Sequence, residues 1–175
     1  PSPTSRPKLS PTQAPARVLP GPSEPTIPIS FETYEDGVFG FQLRYPSDWL
    51  ATDVSSPPVL AQIGGTEEGS PQARISLFYR ANILAPDAVV DGLIPLILDQ
   101  PGFRVLAEEE LTLVDGTPAF METYEFRGTE GMRQGNLFGV VRDTQNFVIM
   151  TEADQNVYQE RANDIQALLF SFDLI

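Results

Sequence analysis

The sequence predicts an α+β domain in which an antiparallel β-sheet is flanked by helices. Three observations lead to this fold class. Several segments alternate apolar and polar residues with the period of two that is typical of strands with one buried face. The pair Asp115-Gly116, which lies between two such segments, is a strong signal for a hairpin turn. Two other segments carry apolar residues at helical spacing, and helices that pack on an antiparallel sheet give an α+β domain.

The first 29 residues differ in composition from the rest of the chain. Of the 17 prolines in the sequence, nine lie between positions 1 and 28, where large apolar side chains are scarce. Such a segment cannot bury enough surface to offset the entropy of ordering. We therefore expect residues 1–29 to form a disordered linker and residues 30–175 to form the α+β domain. The linker is interpreted as a tether that holds the domain away from a membrane or wall, with an inert leader as the alternative.

The start of the chain bears on its location. Because the sequence opens at Pro1 in the middle of this low-complexity segment, we expect it to follow an export signal that has been removed, with or without a lipidated cysteine. The protein is therefore expected in the cell envelope, outside the cytoplasm. The sequence has no run of about 18 apolar residues, so membrane attachment is expected only through the N-terminal tether.

The first half of the domain is predicted to consist of strands. Large apolar residues at positions 39, 41, 43 and 45 alternate with smaller or polar ones. Pro46 ends this segment because proline cannot donate a hydrogen bond to a neighbouring strand. Trp49, the only tryptophan, is expected to return the chain to the core. The strands of this half are predicted at residues 31–34, 39–45, 49–54, 59–63 and 74–80.

The second half is predicted to contain two helices and two hairpins. Pro86-Asp87 opens a helix with proline at its first position and an acid in its first turn. Pro95 is expected to distort this helix before it stops near residue 100. A strand over 103–114 leads through Asp115-Gly116 into its partner at 118–127. A further hairpin joins 137–142 to 147–151, and a last helix is predicted over 153–170.

Charge restricts the classes of partner. The sequence has 24 acidic residues against 11 basic ones, which gives a net charge of −13. Residues 1–29, referred to below as the leader, contain Arg6, Lys8 and Arg17 and one acid, Glu24. The net charge of the leader is therefore +2, and that of the rest of the chain is −15. A domain this acidic repels phosphate backbones and anionic headgroups, which argues against nucleic acid and direct membrane adsorption. A basic protein or a divalent cation remains compatible with the charge, as does a solvated acidic surface without a ligand.

The residue inventory excludes several reaction classes. The sequence contains no histidine and no cysteine, so it has no Ser-His-Asp triad, imidazole ligand or thiolate nucleophile. Its only lysine is Lys8, which leaves the domain without a Schiff-base lysine or a P-loop lysine. Catalysis would have to use carboxylates, tyrosines and arginines. No cofactor is predicted.

Carboxylates provide two candidate sites. Glu122 is predicted to lie on a strand opposite Glu108 or Glu110, and such a pair would supply two carboxyls about 5 Å apart, as a retaining glycosidase needs. The alternative is that these acids face solvent on the sheet. Glu152 and Asp154 precede the last helix and are candidate calcium ligands, with helix capping as the alternative.

Two aromatic residues are candidates for a binding surface. Phe78 and Phe138 point away from the alternating apolar set of their predicted strands, so they would form an exposed apolar surface. The alternative is that helices cover both faces of the sheet, in which case both residues belong to the core.

Four short segments in a fixed order carry a family resemblance. Residues 40–49 (GFQLRYPSDW) match the pattern G-F-x-[IL]-x-[YI]-P-x-x-W. Residues 114–120 (VDGTPAF), 147–149 (FVI) and 169–172 (LFSF) follow as a central hairpin, a strand and a helix end. Together they resemble the PsbP-like family, relatives of the extrinsic oxygen-evolving-complex protein of photosystem II. The resemblance implies an α-β-α sandwich, export that often involves a lipoprotein tether, and binding or assembly rather than catalysis. It supplies no binding residue.

These observations predict a non-enzymatic, exported and membrane-tethered binding or assembly module. It is expected to be a monomer with a protein as its partner. The alternative is a carboxylate-dependent hydrolase or a calcium-binding protein, which would use Glu108, Glu110 and Glu122 or Glu152 and Asp154. A third reading is a spacer domain that has no specific ligand.

Overall fold

The computed structural model describes residues 17–18, 30–54, 58–79 and 85–175. The strands are Arg17–Val18 (β1), Phe31–Asp36 (β2), Phe41–Pro46 (β3), Leu50–Asp53 (β4), Val59–Gly64 (β5), Gln72–Tyr79 (β6), Arg104–Thr112 (β7), Pro118–Arg127 (β8), Met132–Arg142 (β9), Gln145–Asp154 (β10) and Asp173–Leu174 (β11). The helices are Pro86–Asp91 (α1), Ile94–Ile97 (α2), Gln155–Glu160 (α3) and Ala162–Phe170 (α4). Eight strands form one sheet in the order β1-β7-β8-β9-β10-β6-β5-β4, and three form a second in the order β11-β3-β2.

The predicted antiparallel hairpins are confirmed. β7 and β8 pair through the turn at Asp115-Gly116, where Gly116 has a φ of 89°. β9 and β10 pair through a turn at Asp143, whose φ of 54° is left-handed. Aspartate is among the few residues that tolerate this conformation, because its short side chain bonds locally. The mostly antiparallel sheets and the few helices confirm the α+β class.

Each predicted helix is divided into two shorter ones. The first breaks at Gly92 and Leu93, just before Pro95 enters α2. Proline at position 95 has no N–H, and its ring would clash with the carbonyl of Asp91 in a continuous helix. The last helix is interrupted at Arg161, whose φ of −104° and ψ of 17° are not helical. Helices of this length depend on packing against the sheet for their stability.

The larger sheet has two unlike faces, which follow from strand alternation. The core face carries Ile75, Met121, Phe138 and Ile149, and it packs against β3, α3 and α4. Phe172 joins this core, with ring centroids 5.7 Å from Phe147 and 6.4 Å from Phe138. Other buried members include Phe41, Leu43, Trp49, Ile63, Ile165 and Leu169. The expected burial of Trp49 is confirmed.

The outer face of the same sheet is covered only in part. It carries Arg74, Phe78, Glu108, Glu122 and Met150, as the register of β6 to β10 requires. Helices α1 and α2 pack over it through a smaller apolar cluster that includes Val90, Ile97, Tyr124 and Leu137. The predicted α-β-α sandwich is not confirmed. The helices are few and short, and the core face is covered by the second sheet as well as by helices.

The leader contributes one pairing that the sequence does not predict. Arg17 and Val18 lie beside Leu111 and Thr112 as a parallel strand at the edge of the larger sheet. The expected disorder of residues 1–29 otherwise lies outside the described residues.

Candidate functional site

Strand register brings acidic side chains together on the outer face. Glu108 of β7 lies directly opposite Glu122 of β8, and Glu110 lies opposite Phe120. Residues directly opposite each other on an antiparallel pair have Cβ atoms about 4.5–5.5 Å apart. The sequence-based expectation that Glu122 pairs with Glu108 or Glu110 is therefore met by Glu108.

Glu122 is buried and has no hydrogen-bond partner. Its side chain is 0% exposed, and neither Oε1 nor Oε2 receives a hydrogen bond. Burial, Glu108 and Asp91 together raise its pKa from the ordinary 4.5 to about 7, with burial the largest cause. A carboxyl in this setting holds its proton near neutral pH, because the charged form is neither solvated nor compensated.

Helix α1 is the element that closes the site. It approaches β9 at Gly139, where a Cβ atom would lie 2.9 Å from Val90 Cγ2 and 3.0 Å from the carbonyl oxygen of Pro86. The absence of a side chain at position 139 thus lets the helix lie close to the sheet. This placement brings Asp91, at the end of α1, into the field of Glu122. Burial and Asp87 raise the pKa of Asp91 itself.

We refer to Asp91, Glu108, Glu110 and Glu122 as the acidic group. Glu108, Glu110 and Asp91 are exposed, whereas Glu122 lies beneath them. Sequence reasoning identifies the three glutamates but misses Asp91. The available signal was its spacing of four residues from Asp87, which places both acids on one side of α1.

The other carboxylate pair is held by an arginine. Arg133 Nε donates to Glu152 Oε1 at 2.5 Å, and its Nη1 donates to Asp154 Oδ1 at 2.6 Å. Both carboxylates therefore already have a cationic partner. Among residues 30–54, 58–79 and 85–175, no three metal-ligating side chains converge on a common point.

The two aromatic candidates lie on opposite faces. Phe138 is 0% exposed and belongs to the core, which corrects its interpretation as part of an exposed surface. On β9 it lies between Met121 of β8 and Ile149 of β10, which also face the core. The residues of β9 that share a face with Phe138 therefore point into the core and not toward solvent. Phe78 lies on the outer face and is partly exposed. Phe78 pairs with Asn146 of β10, and β10 and β9 separate its strand from β8, so the structure does not join it to the acidic group.

The helices in the described ranges are short. None is long and apolar enough to cross a membrane.

No family model and no curated protein sequence matches the chain. By structure, it is similar to cyanobacterial PsbP (CyanoP) from Synechocystis sp. PCC 6803, with a TM-score of 0.67 and 13% identity over 84% of this chain and 94% of that one.

Two further structures share the fold. LpqN of Mycobacterium tuberculosis, described as involved in cell envelope biogenesis, gives a TM-score of 0.60 and 18% identity over 85% of this chain and 92% of that one. The Ran-binding protein Mog1p of Saccharomyces cerevisiae gives 0.58 and 9% over 83% and 96%. The likeness confirms the predicted PsbP-like fold. At these identities it concerns the fold alone.

Proposed function

We propose that the protein is a non-enzymatic binding or assembly module of the cell envelope, and that its acidic group binds a basic segment of a partner protein. The observation that carries this proposal is Glu122, a buried carboxyl without a partner beside Glu108 and Asp91. A guanidinium or ammonium group held by the exposed Glu108 and Asp91 supplies the missing positive charge through its field, without contacting the shielded oxygens of Glu122. Buried carboxyls are otherwise found with such partners, because an unpaired one is costly.

The neighbouring sheet edge supports an extended partner. β7 is the strand next to the edge, and within the described residues only Arg17 and Val18 pair with its outer side. Val105 and Leu106 on this strand are 37% and 41% exposed. An extended segment that adds to β7 would gain main-chain hydrogen bonds and would direct alternate side chains toward Glu108 and Glu110.

The proposed envelope location and the proposed tether are supported by observations other than the acidic group. The proline-rich leader has the composition of a spacer, and the similar protein LpqN is described as involved in cell envelope biogenesis. Fractionation of the source cells with an antibody to the domain tests this part. Recovery in the envelope fraction is expected, and recovery in the cytosol alone contradicts it.

The binding test uses a labelled peptide of alternating arginine and threonine, which places every arginine on one side of a strand. The control peptide has glutamine in place of arginine. Fluorescence anisotropy should give saturable binding of the arginine peptide only. Glu108→Gln and Asp91→Asn should weaken this binding, whereas Glu160→Gln, an exposed change of equal charge on α3, should not.

Glu122 gives the test its distinguishing readout. Below about pH 7 the buried carboxyl is protonated in the free protein, so binding of a cation beside it must first remove that proton. Affinity should therefore rise about tenfold between about pH 6 and about pH 8. Glu122→Gln should remove this rise. An affinity that does not change with pH, or a rise that survives in Glu122→Gln, contradicts the role given to Glu122.

One observation favours the hydrolase alternative. Glu122 has a pKa raised to about 7 and faces Glu108, which is the arrangement of a general acid beside a second carboxyl group. Against this use, both oxygens of Glu122 are shielded from solvent. Hydrolysis of a glycoside panel by the wild type, lost in Glu122→Gln, would support the alternative over binding.

A further inference from the structure

A cleft on the outer face lies away from the acidic group. It has a volume of about 300 Å³ and is lined by Gln62, Arg74, Arg133, Met150 and Glu152, among others. Gln62 and Met150 flank Arg74 in register on the two strands next to it, so their side chains lie in one row. The volume is at the lower end of the range for small-molecule sites, and polar groups that converge on an apolar wall are typical of such sites.

Arg74 is the central feature of this cleft. Its side chain is exposed and makes no hydrogen bond or ion pair with any residue that the structure describes. By contrast, Arg104, Arg133 and Arg161 each bind a carboxylate. Carboxylates are abundant in this domain, and Glu152 lines the same cleft but bonds to Arg133 instead. The guanidinium of Arg74 is thus left available in a concave site.

Arg133 forms a fixed second wall. Its Nε and Nη1 are bonded to Glu152 and Asp154, and neither bond uses Nη2. The two hydrogen bonds fix the position of the side chain and leave the N–H groups of Nη2 free to donate to a ligand. A planar guanidinium presents its donors as a fork that matches a carboxylate, which is why arginine commonly recognises that group.

We propose that this cleft binds a monocarboxylate with a small apolar part, held by Arg74 and contacted by Met150. The positive charge of Arg133 is already neutralised by its ion pairs with Glu152 and Asp154. Arg74 is therefore the cation that balances the negative charge of the ligand. A single negative charge fits this balance, whereas phosphate carries more than one charge near neutral pH and would leave the excess uncompensated beside Glu152. The carboxylate comes either from a free small acid or from the C-terminus of a peptide.

The site is independent of the proposed function. Arg74 and Glu122 lie on β6 and β8, which are separated by β10 and β9 in the sheet. Three strand spacings amount to about 14 Å. Loss of binding at one site therefore leaves the other unchanged, and failure of either proposal is seen separately.

Isothermal titration of the intact protein with butyrate, and with a valine-ending peptide in free-acid and amidated forms, tests the site. At least one carboxylate should bind saturably, and Arg74→Gln should weaken it about tenfold or more because a charge-assisted fork is lost. Arg127→Gln is the matched control: Arg127 is also exposed, and its loss changes the net charge equally. Arg74→Lys keeps the charge without the fork and should recover only part of the affinity.

The outcomes separate the two sources of the carboxylate. Tighter binding of butyrate supports a free acid, and tighter binding of the free-acid peptide, with none by its amide, supports a peptide C-terminus. The proposal is overturned if no carboxylate saturates the protein, if Arg127→Gln weakens binding as much as Arg74→Gln, or if phosphate competes as well as butyrate. Thermal melts establish that each variant is folded.

Discussion

Asn136 and Glu122, two polar side chains buried on opposite faces of the larger sheet, differ in their hydrogen bonding. On the core face, Asn136 Oδ1 accepts hydrogen bonds from Thr151 Oγ1 at 3.0 Å and from Tyr158 Oη at 2.8 Å, and its Nδ2 donates to Thr123 Oγ1 at 3.0 Å. On the outer face, Glu122 is buried as deeply and has no such partner.

This difference indicates that one face of the sheet contributes mainly to stability and the other to binding. A satisfied polar network in a close-packed core fixes one arrangement of the strands. A buried carboxyl without a hydrogen-bond partner lowers stability. A ligand or a partner protein that supplies the missing hydrogen bonds would explain why such a group is present. We infer that the core face holds the fold and that the outer face presents the sites.

Phe138→Ala should lower the free energy of unfolding by about 3–5 kcal/mol, the usual cost of truncating a fully buried phenylalanine. Phe78→Ala, the same change on the outer face, should cost about 1 kcal/mol or less because that ring is partly exposed. Denaturant unfolding of both variants measures the contrast. Equal costs would mean that the two faces do not differ in packing.

Glu122→Gln should change the dependence of stability on pH. The folded state keeps the Glu122 proton up to about pH 7, whereas the unfolded chain loses it near 4.5. The folded state therefore binds more protons in this window, and the free energy of unfolding falls as pH rises, by as much as about 3 kcal/mol. The variant should match the wild type near pH 4 and exceed it near pH 8. Glu160→Gln serves as the control, and an equal gain at both pH values would refute the assignment.

Tyr158→Phe should cost about 1 kcal/mol, the net contribution of one buried hydrogen bond. The cost is modest because Asn136 Oδ1 keeps its bond from Thr151. Chemical denaturation gives this value at neutral pH. A loss as large as that of Phe138→Ala would show that the network, and not the apolar packing, dominates the core face.

Calcium should have the smallest effect. Arg133 already binds Glu152 and Asp154, so a calcium ion would have to displace a guanidinium from both. Millimolar calcium is expected to move the melting temperature by less than about 1 °C. A larger shift that disappears in Glu152→Gln would restore the calcium hypothesis.

Local pattern predicted most of the strands. β8 begins at Pro118 and ends at Arg127, as the alternation and the preceding Asp-Gly turn indicate. β9 instead begins at Met132, five residues before its predicted start. Arg133, Gln134 and Gly135 lack strand character in sequence. They are held in the sheet by distant groups, since Arg133 bonds to β10 and Gly135 makes room for Tyr124 Oη beside Thr151.

The site was less accessible to sequence reasoning than the fold. Alternation placed Glu122 and Phe120 on one face, but it did not reveal which face the helices would cover. The burial of Glu122 depends on the close approach of α1 at Gly139, a contact between segments about 50 residues apart in the chain. The two alternatives left open for Phe138 have the same origin, because a strand whose two faces are both apolar does not disclose its orientation.

The short strand β11 has a consequence for how the protein is made. Gln42 and Asp173, which pair across β3 and β11, are 131 residues apart. At ordinary rates of translation the ribosome needs on the order of ten seconds to add that many residues. During this interval Phe41, fully buried in the finished protein, lacks the Phe172 ring that stacks on it with a centroid separation of 5.6 Å. The small sheet is completed last, so one edge of β3 stays unpaired in the nascent chain until β11 has emerged.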